Sequence, residues 1–112
     1  MYTDSSNQTF INQWLGNVGI KTGNATLTAA LQVGGSILAS GDITAYSDRR
    51  LKSNIQTLEN RGYIEPVTFE KDGKQCIGFV AQDVKEKYPE LVNSEGEYLS
   101  LNYQQYTAVL QA

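Results

Sequence analysis

Histidine is absent from the 112 residues, and cysteine (Cys76), tryptophan (Trp14) and methionine (Met1) occur once each. Without an imidazole, every His-based catalytic triad is excluded, and with a single thiol so is a zinc site built on a Cys/His cluster. One cysteine makes no internal disulfide. No apolar run approaches the roughly 18 residues of a spanning helix, and the start has no basic-then-apolar signal pattern. Basic charge is short as well: nine Lys and Arg face twelve Asp and Glu, and a net charge of −3 argues against a grip on nucleic acid. No cofactor or metal is called for, and any enzymatic chemistry must use carboxylates, lysine, serine, tyrosine or the lone thiol. What is present is 40% apolar with seven tyrosines, too apolar and aromatic for a disordered chain. The length suits one small domain or two pieces that depend on something else.

Charge and glycine divide the chain. Residues 1–46 carry only Asp4, Lys21 and Asp42 as charged side chains, while Gly16, Gly19, Gly23, Gly34, Gly35 and Gly41 all lie there. The composition changes within a few residues of Tyr46-Ser47, a candidate boundary. Before it, Leu27, Ala29, Leu31 and Val33 alternate with Thr28, Ala30 and Gln32, the period of a strand with one buried face. Ser36–Ala39 and Ile43–Tyr46 read as two further short strands, and Gly23-Asn24 as a turn after the segment from Trp14 to Ile20. Such strands hardly bury a core alone, so identical strands from other chains are expected to supply the missing face. The plain alternative is a weakly structured linker. Trp14 is a candidate anchor for an inter-chain contact.

The second part is mixed. Val67–Phe69 and Cys76–Val80 flank Asp72-Gly73, a strong hairpin signal. Residues 82–88 have helical polarity, with Val84 and Tyr88 four apart and Pro89 ending the helix. Residues 93–97 turn, 98–101 form a short strand, and Asn102 caps a helix bearing Tyr106, Val109 and Leu110. That helix is still running at Ala112, which points to a shortened chain or to a helix stabilised by partners. Cys76 reads as a buried structural thiol, and Phe79, Tyr88, Leu91, Tyr103 and Tyr106 as core or trimer contacts. Asp83, Glu86 and Glu90 read as a solvated face.

The chemistry concentrates at the boundary, in Ser47-Asp48-Arg49-Arg50-Leu51-Lys52-Ser53-Asn54-Ile55. With no histidine to activate a serine, a lysine is the remaining base, and Arg49 and Arg50 have the sign that favours a neutral Lys52. Five residues of helix turn through about 500°, roughly 140° off one face, and five of strand end on opposite faces. Ser47 and Lys52 therefore meet only if the backbone bends between them. Spacing alone is equally that of a solvated basic turn.

The same nine residues resemble the opening signature of the intramolecular chaperone domain of bacteriophage tail fibres and tailspikes, the endosialidase type. The resemblance continues through Ile77-Gly78-Phe79-Val80-Ala81-Gln82-Asp83-Val84 and Tyr88-Pro89-Glu90-Leu91-Val92 to Tyr98-Leu99-Ser100-Leu101-Asn102-Tyr103, and so covers 47–112. Residues 1–46 resemble only in type the β-rich end of a fibre stalk. A similar signature occurs in some self-cleaving, membrane-anchored eukaryotic transcription factors. With no DNA-binding segment and glycine-rich strands upstream, the fibre is the better context.

The resemblance implies an α+β chain: a glycine-rich β stalk at 1–46, trimeric between chains, then a chaperone and auto-processing domain at 47–112 with a hairpin, short helices and a C-terminal helix for trimer packing. It implies a homotrimer whose substrate is its own polypeptide, without nucleic acid or membrane insertion, meeting a host receptor only through the upstream fibre. Ser47 is then the nucleophile, Lys52 the general base, and Tyr46-Ser47 the bond cut, once per chain. The stalk would stay in the virion tail fibre and the chaperone part, made in the bacterial cytoplasm, would be released. Family members usually continue beyond the Tyr103 helix with more helical residues. The rival readings are a trimerisation or adhesion tip that never cleaves and, further off, a serine–lysine hydrolase acting on a separate substrate.

Overall fold

The computed structural model describes residues 16–112, together with the strand backbone at Tyr2–Thr3 and Thr9–Phe10. Trp14 lies outside the described residues. The chain divides into two compact units, Met1–Ser47 and Asp48–Ala112.

In the first unit, β1 (Tyr2–Thr3) pairs antiparallel with β2 (Thr9–Phe10). The strand expected from Leu27 onward is shorter than its alternation: β4 is only Leu31–Val33, and it runs parallel to β3, Val18–Ile20, with Val18 opposite Leu31. The loop between them closes tightly. Gly34 N–H donates to the Ile20 carbonyl at 2.8 Å, and a Cβ at Gly34 would overlap the Lys21 carbonyl oxygen. Ser36–Ala39 and Ile43–Tyr46, expected as strands, are irregular and exposed throughout. A strand persists only where a second strand takes up its N–H and C=O groups, and among the described residues these two runs have none.

The second unit is a small α+β arrangement. A single 3-10 turn, Arg49–Leu51, opens it, and an irregular segment leads to β5, Val67–Lys71, which pairs antiparallel with β6, Lys74–Gly78. Lys71 faces Lys74 across Asp72 and Gly73, whose positive φ values of 52° and 74° are those a two-residue turn requires. Helix α1 spans Ala81–Lys87, and Pro89–Leu91 continues as a 3-10 turn. Strands β7 (Val92–Asn93) and β8 (Ser100–Leu101) pair antiparallel, and helix α2 spans Tyr103–Gln111.

The core lies where α1, the 3-10 turn after it and α2 converge. Its buried members are Ile64, Val84, Tyr88, Leu91 and Tyr106, with Leu58, Phe79, Val92, Leu101 and Val109 packed around them. Val84 is fully buried and Tyr88 nearly so, as their spacing of four on α1 demands. The Phe79 ring stands 4.7 Å from Tyr106 and 6.4 Å from Tyr103. Gly78 is buried, and a Cβ there would meet the Tyr103 hydroxyl oxygen at 2.5 Å, so the close approach requires glycine. Of the aromatic and aliphatic residues expected in the core, Tyr88, Leu91 and Tyr106 are buried, Phe79 is half-buried, and Tyr103 stays about half exposed (51%). Cys76, expected buried, is half-buried, its thiol directed to the Lys74 carbonyl at 3.6 Å.

Candidate functional site

Tyr46 and Ser47 end the first unit. Both are exposed, Tyr46 to 95%, and the residues leading to them from 34 onward are exposed as well.

The second unit begins with a turn that its own side chains fix. Asp48 is the N-cap of the Arg49–Leu51 turn: its Oδ1 accepts from Arg50 N–H at 2.8 Å. The same carboxylate takes the Arg50 guanidinium in a two-point contact, Nε to Oδ1 at 3.1 Å and Nη2 to Oδ2 at 2.9 Å. These bonds lower the Asp48 pKa from its ordinary value and raise that of Arg50, the side-chain contact being the main cause of both. Leu51 N–H donates to the Asp48 carbonyl at 3.0 Å and Lys52 N–H to the Arg49 carbonyl at 3.1 Å. The backbone thus bends directly after Asp48. Lys52 follows in extended conformation, φ −123° and ψ 151°, as the exposed C-cap. Arg50, expected as a cation near Lys52, already has a carboxylate of its own. The amides of Arg50, Leu51 and Lys52 are likewise taken up inside the turn.

A residue that motif and periodicity did not reveal is Arg61. Its backbone N–H donates to the Tyr88 hydroxyl at 2.8 Å, and its guanidinium lies 4.9 Å from the centre of the Tyr88 ring. The guanidinium also donates to the Lys87 carbonyl at 3.1 Å and to both oxygens of Glu90 at 2.8 Å each. It thereby fastens the irregular segment behind Lys52 to the end of α1. Glu90, expected on a solvated face, is 61% exposed yet paired, and the Arg61 hydrogen bonds hold its carboxyl down at about 2. No local signal could have found this contact, because its partners stand 29 residues apart. Among the described residues no group of three or more His, Cys, Asp or Glu side chains is placed to hold a metal ion. No helix of the described residues is long and apolar enough to cross a membrane.

Residues 47–93 match the family described as Chaperone of endosialidase, whose model is also named as a peptidase. Over this segment the chain is similar to endosialidase-type chaperones. The segment opens at Ser47, contains the capped turn with Lys52, the β5–β6 hairpin and α1, and runs to the end of β7. The motif Tyr98–Tyr103 and helix α2 lie beyond the matched residues. A curated relative, an uncharacterized membrane protein of Dictyostelium discoideum, is 34% identical over 104 aligned positions covering 71% of this chain. The chain spans only 6% of that relative's length. No solved structure matches the chain.

Proposed function

We propose that this chain is the end of a phage tail-fibre stalk fused to a trimerisation chaperone that frees itself by cutting Tyr46-Ser47. The observation that carries the reading is the start of the family match at Ser47, the residue in front of the capped turn. Its chemistry is an acyl transfer. Ser47 Oγ attacks the Tyr46 carbonyl carbon while Lys52 Nζ takes the hydroxyl proton. The C–N bond then breaks, the Ser47 nitrogen receives the proton from Lys52, and an ester joins Tyr46 to Ser47 Oγ. Water adds to that ester and releases the Tyr46 carboxylate and the Ser47 hydroxyl. Because substrate and catalyst are one polypeptide, proximity is built in and no pocket for a free substrate is needed.

The chaperone role has its own physical reason. Interwound stalk strands pair between chains, a slow process prone to slipped register. A more charged unit that folds by itself and holds three chains together raises the effective concentration of their strands in one register. Its removal then deletes the end from which the finished stalk would open, leaving kinetic stability. The Dictyostelium relative is a membrane protein by its description, so a stretch similar to this chain also occurs within a far longer one.

Mass spectrometry of the purified chain under denaturing conditions tests this. Cleavage yields fragments 1–46 and 47–112, and Ser47→Ala or Lys52→Ala leaves the chain whole. A folded wild-type trimer that stays intact indefinitely defeats the peptidase reading in favour of a structural tip that never cleaves.

A further inference from the structure

Asp48 and Arg50 make a closed contact on the turn that carries Lys52. We infer that this pair is a positioning device for self-cleavage, holding the turn that sets Lys52 five residues beyond Ser47 and cancelling two charges beside the reacting groups; the inference rests on the Ser47–Lys52 reading. Three features of the geometry support it. The carboxylate binds both the backbone and the side chain of one residue, at 2.8, 2.9 and 3.1 Å, so a single group fixes the cap and the fork together. The turn it caps lies in the four residues, 48–51, that join Ser47 to Lys52, where the backbone must bend for them to meet. The pair also stands outside the core: the Arg50 side chain is 88% and the Asp48 side chain 44% exposed, and the turn contributes no residue to the core. A contact that adds no core packing and sits between two candidate reacting groups has its use in geometry and charge rather than in global stability.

Charge gives the device a signature that a merely structural cap lacks. The charged groups of the turn are Asp48, Arg49 and Arg50. An uncompensated carboxylate at 48 favours a protonated amine nearby, and an uncompensated guanidinium at 50 disfavours it. Removing one partner therefore moves the rise of cleavage rate with pH one way, and removing the other moves it the opposite way.

The experiment is single-turnover cleavage of the full chain, followed by gel and mass from pH 6 to 10, on Asp48→Asn, Arg50→Gln and the double variant. Asp48→Asn keeps a cap acceptor and is expected to shift the half-maximal pH down by about 0.3–0.5 unit, Arg50→Gln up by a similar amount. Each is expected to slow the plateau rate about tenfold through loss of the fork. In the double variant the half-maximal pH returns to the wild-type position while the rate stays low. Circular dichroism melts of all three, made uncleavable with Ser47→Ala, should coincide with that of Ser47→Ala alone. If the variants cleave with the wild-type rate and profile, or both shift in one direction, the inference is overturned while the Ser47–Lys52 reading stands. If wild type itself does not cleave, the reading falls first and the inference with it.

Discussion

Arg61 makes several of the contacts that hold the second unit together. It carries a bidentate contact to Glu90, a bond to the Lys87 carbonyl, and its guanidinium over the Tyr88 ring, while its own amide satisfies the Tyr88 hydroxyl. That hydroxyl belongs to a side chain only 2% exposed, so without a partner it would be costly to bury. The Glu90 partner gives the contact a pH dependence. Its carboxyl is held at about 2 against an ordinary 4.5, first by hydrogen bonds from Arg61. A group depressed on folding contributes stability that is complete above its unfolded value and is lost as pH falls through its folded value. The window is therefore from about 4.5 down to about 2. Thermal melts of the full chain should show a falling midpoint across that window, and Glu90→Gln should flatten the fall and lower the midpoint at neutral pH. Because both Arg61 and Glu90 are partly in water, high salt should shrink the difference between wild type and variant. An unchanged acid slope in Glu90→Gln would remove Glu90 from the account.

Elements whose code is local form as their residues dictate. Asn102 accepts from the Gln105 amide at 3.0 Å, which satisfies one of the donors that the first turn of α2 leaves without a partner. Helix α2 presents Tyr106 and Val109 to the core, so its first turn is coupled to the packing of Phe79 and Leu91. Asn102→Ala is expected to cost about 1 kcal/mol in urea denaturation, while Asn102→Asp, which keeps the acceptor and adds a favourable charge at the helix start, should cost little. Equal losses in both variants would mean that the cap is not what starts the helix. The cap, the Asp72-Gly73 hairpin and the stop of α1 before Pro89 were all legible because each depends on residues within four positions. The parallel pairing of Val18–Ile20 with Leu31–Val33 was not, since alternation marks a strand without naming its partner or direction. Ile64 and Leu58 gave no period to read, lying in an irregular segment whose burial is decided by α1 and α2. At the site, the residue types and their order were legible, and the Asp48–Arg50 contact was not. In the sequence Arg50 is simply a cation near Lys52, and only folding shows its charge already answered.

For the whole molecule the deciding quantity is apolar surface with nothing to cover it. Five buried hydrophobic residues make the core of the second unit, whereas Leu38 is 99% exposed, Ile43 76%, Ile77 83% and Leu110 72%. A monomer with so small a core is marginal, and burying one such Leu or Ile completely is worth about 1.5–3 kcal/mol. In the proposed trimer that gain is counted once per chain, so a substitution at an interface is felt three times. Sedimentation equilibrium of Ser47→Ala, which holds the chain in one piece, should give the mass of three chains, with a melting midpoint that rises with protein concentration. Leu38→Ser and Ile43→Ser alter no packing of the described chain, since both side chains are in solvent. A monomeric protein would therefore tolerate them, or gain solubility. If the stalk runs of three chains cover one another, each substitution instead lowers the midpoint and shifts the mass toward one chain on dilution, and Val84→Ala, inside the core, lowers the midpoint at every concentration alike. A protein that stays monomeric at all concentrations, with Leu38→Ser as stable as its parent, ends the trimeric chaperone proposal.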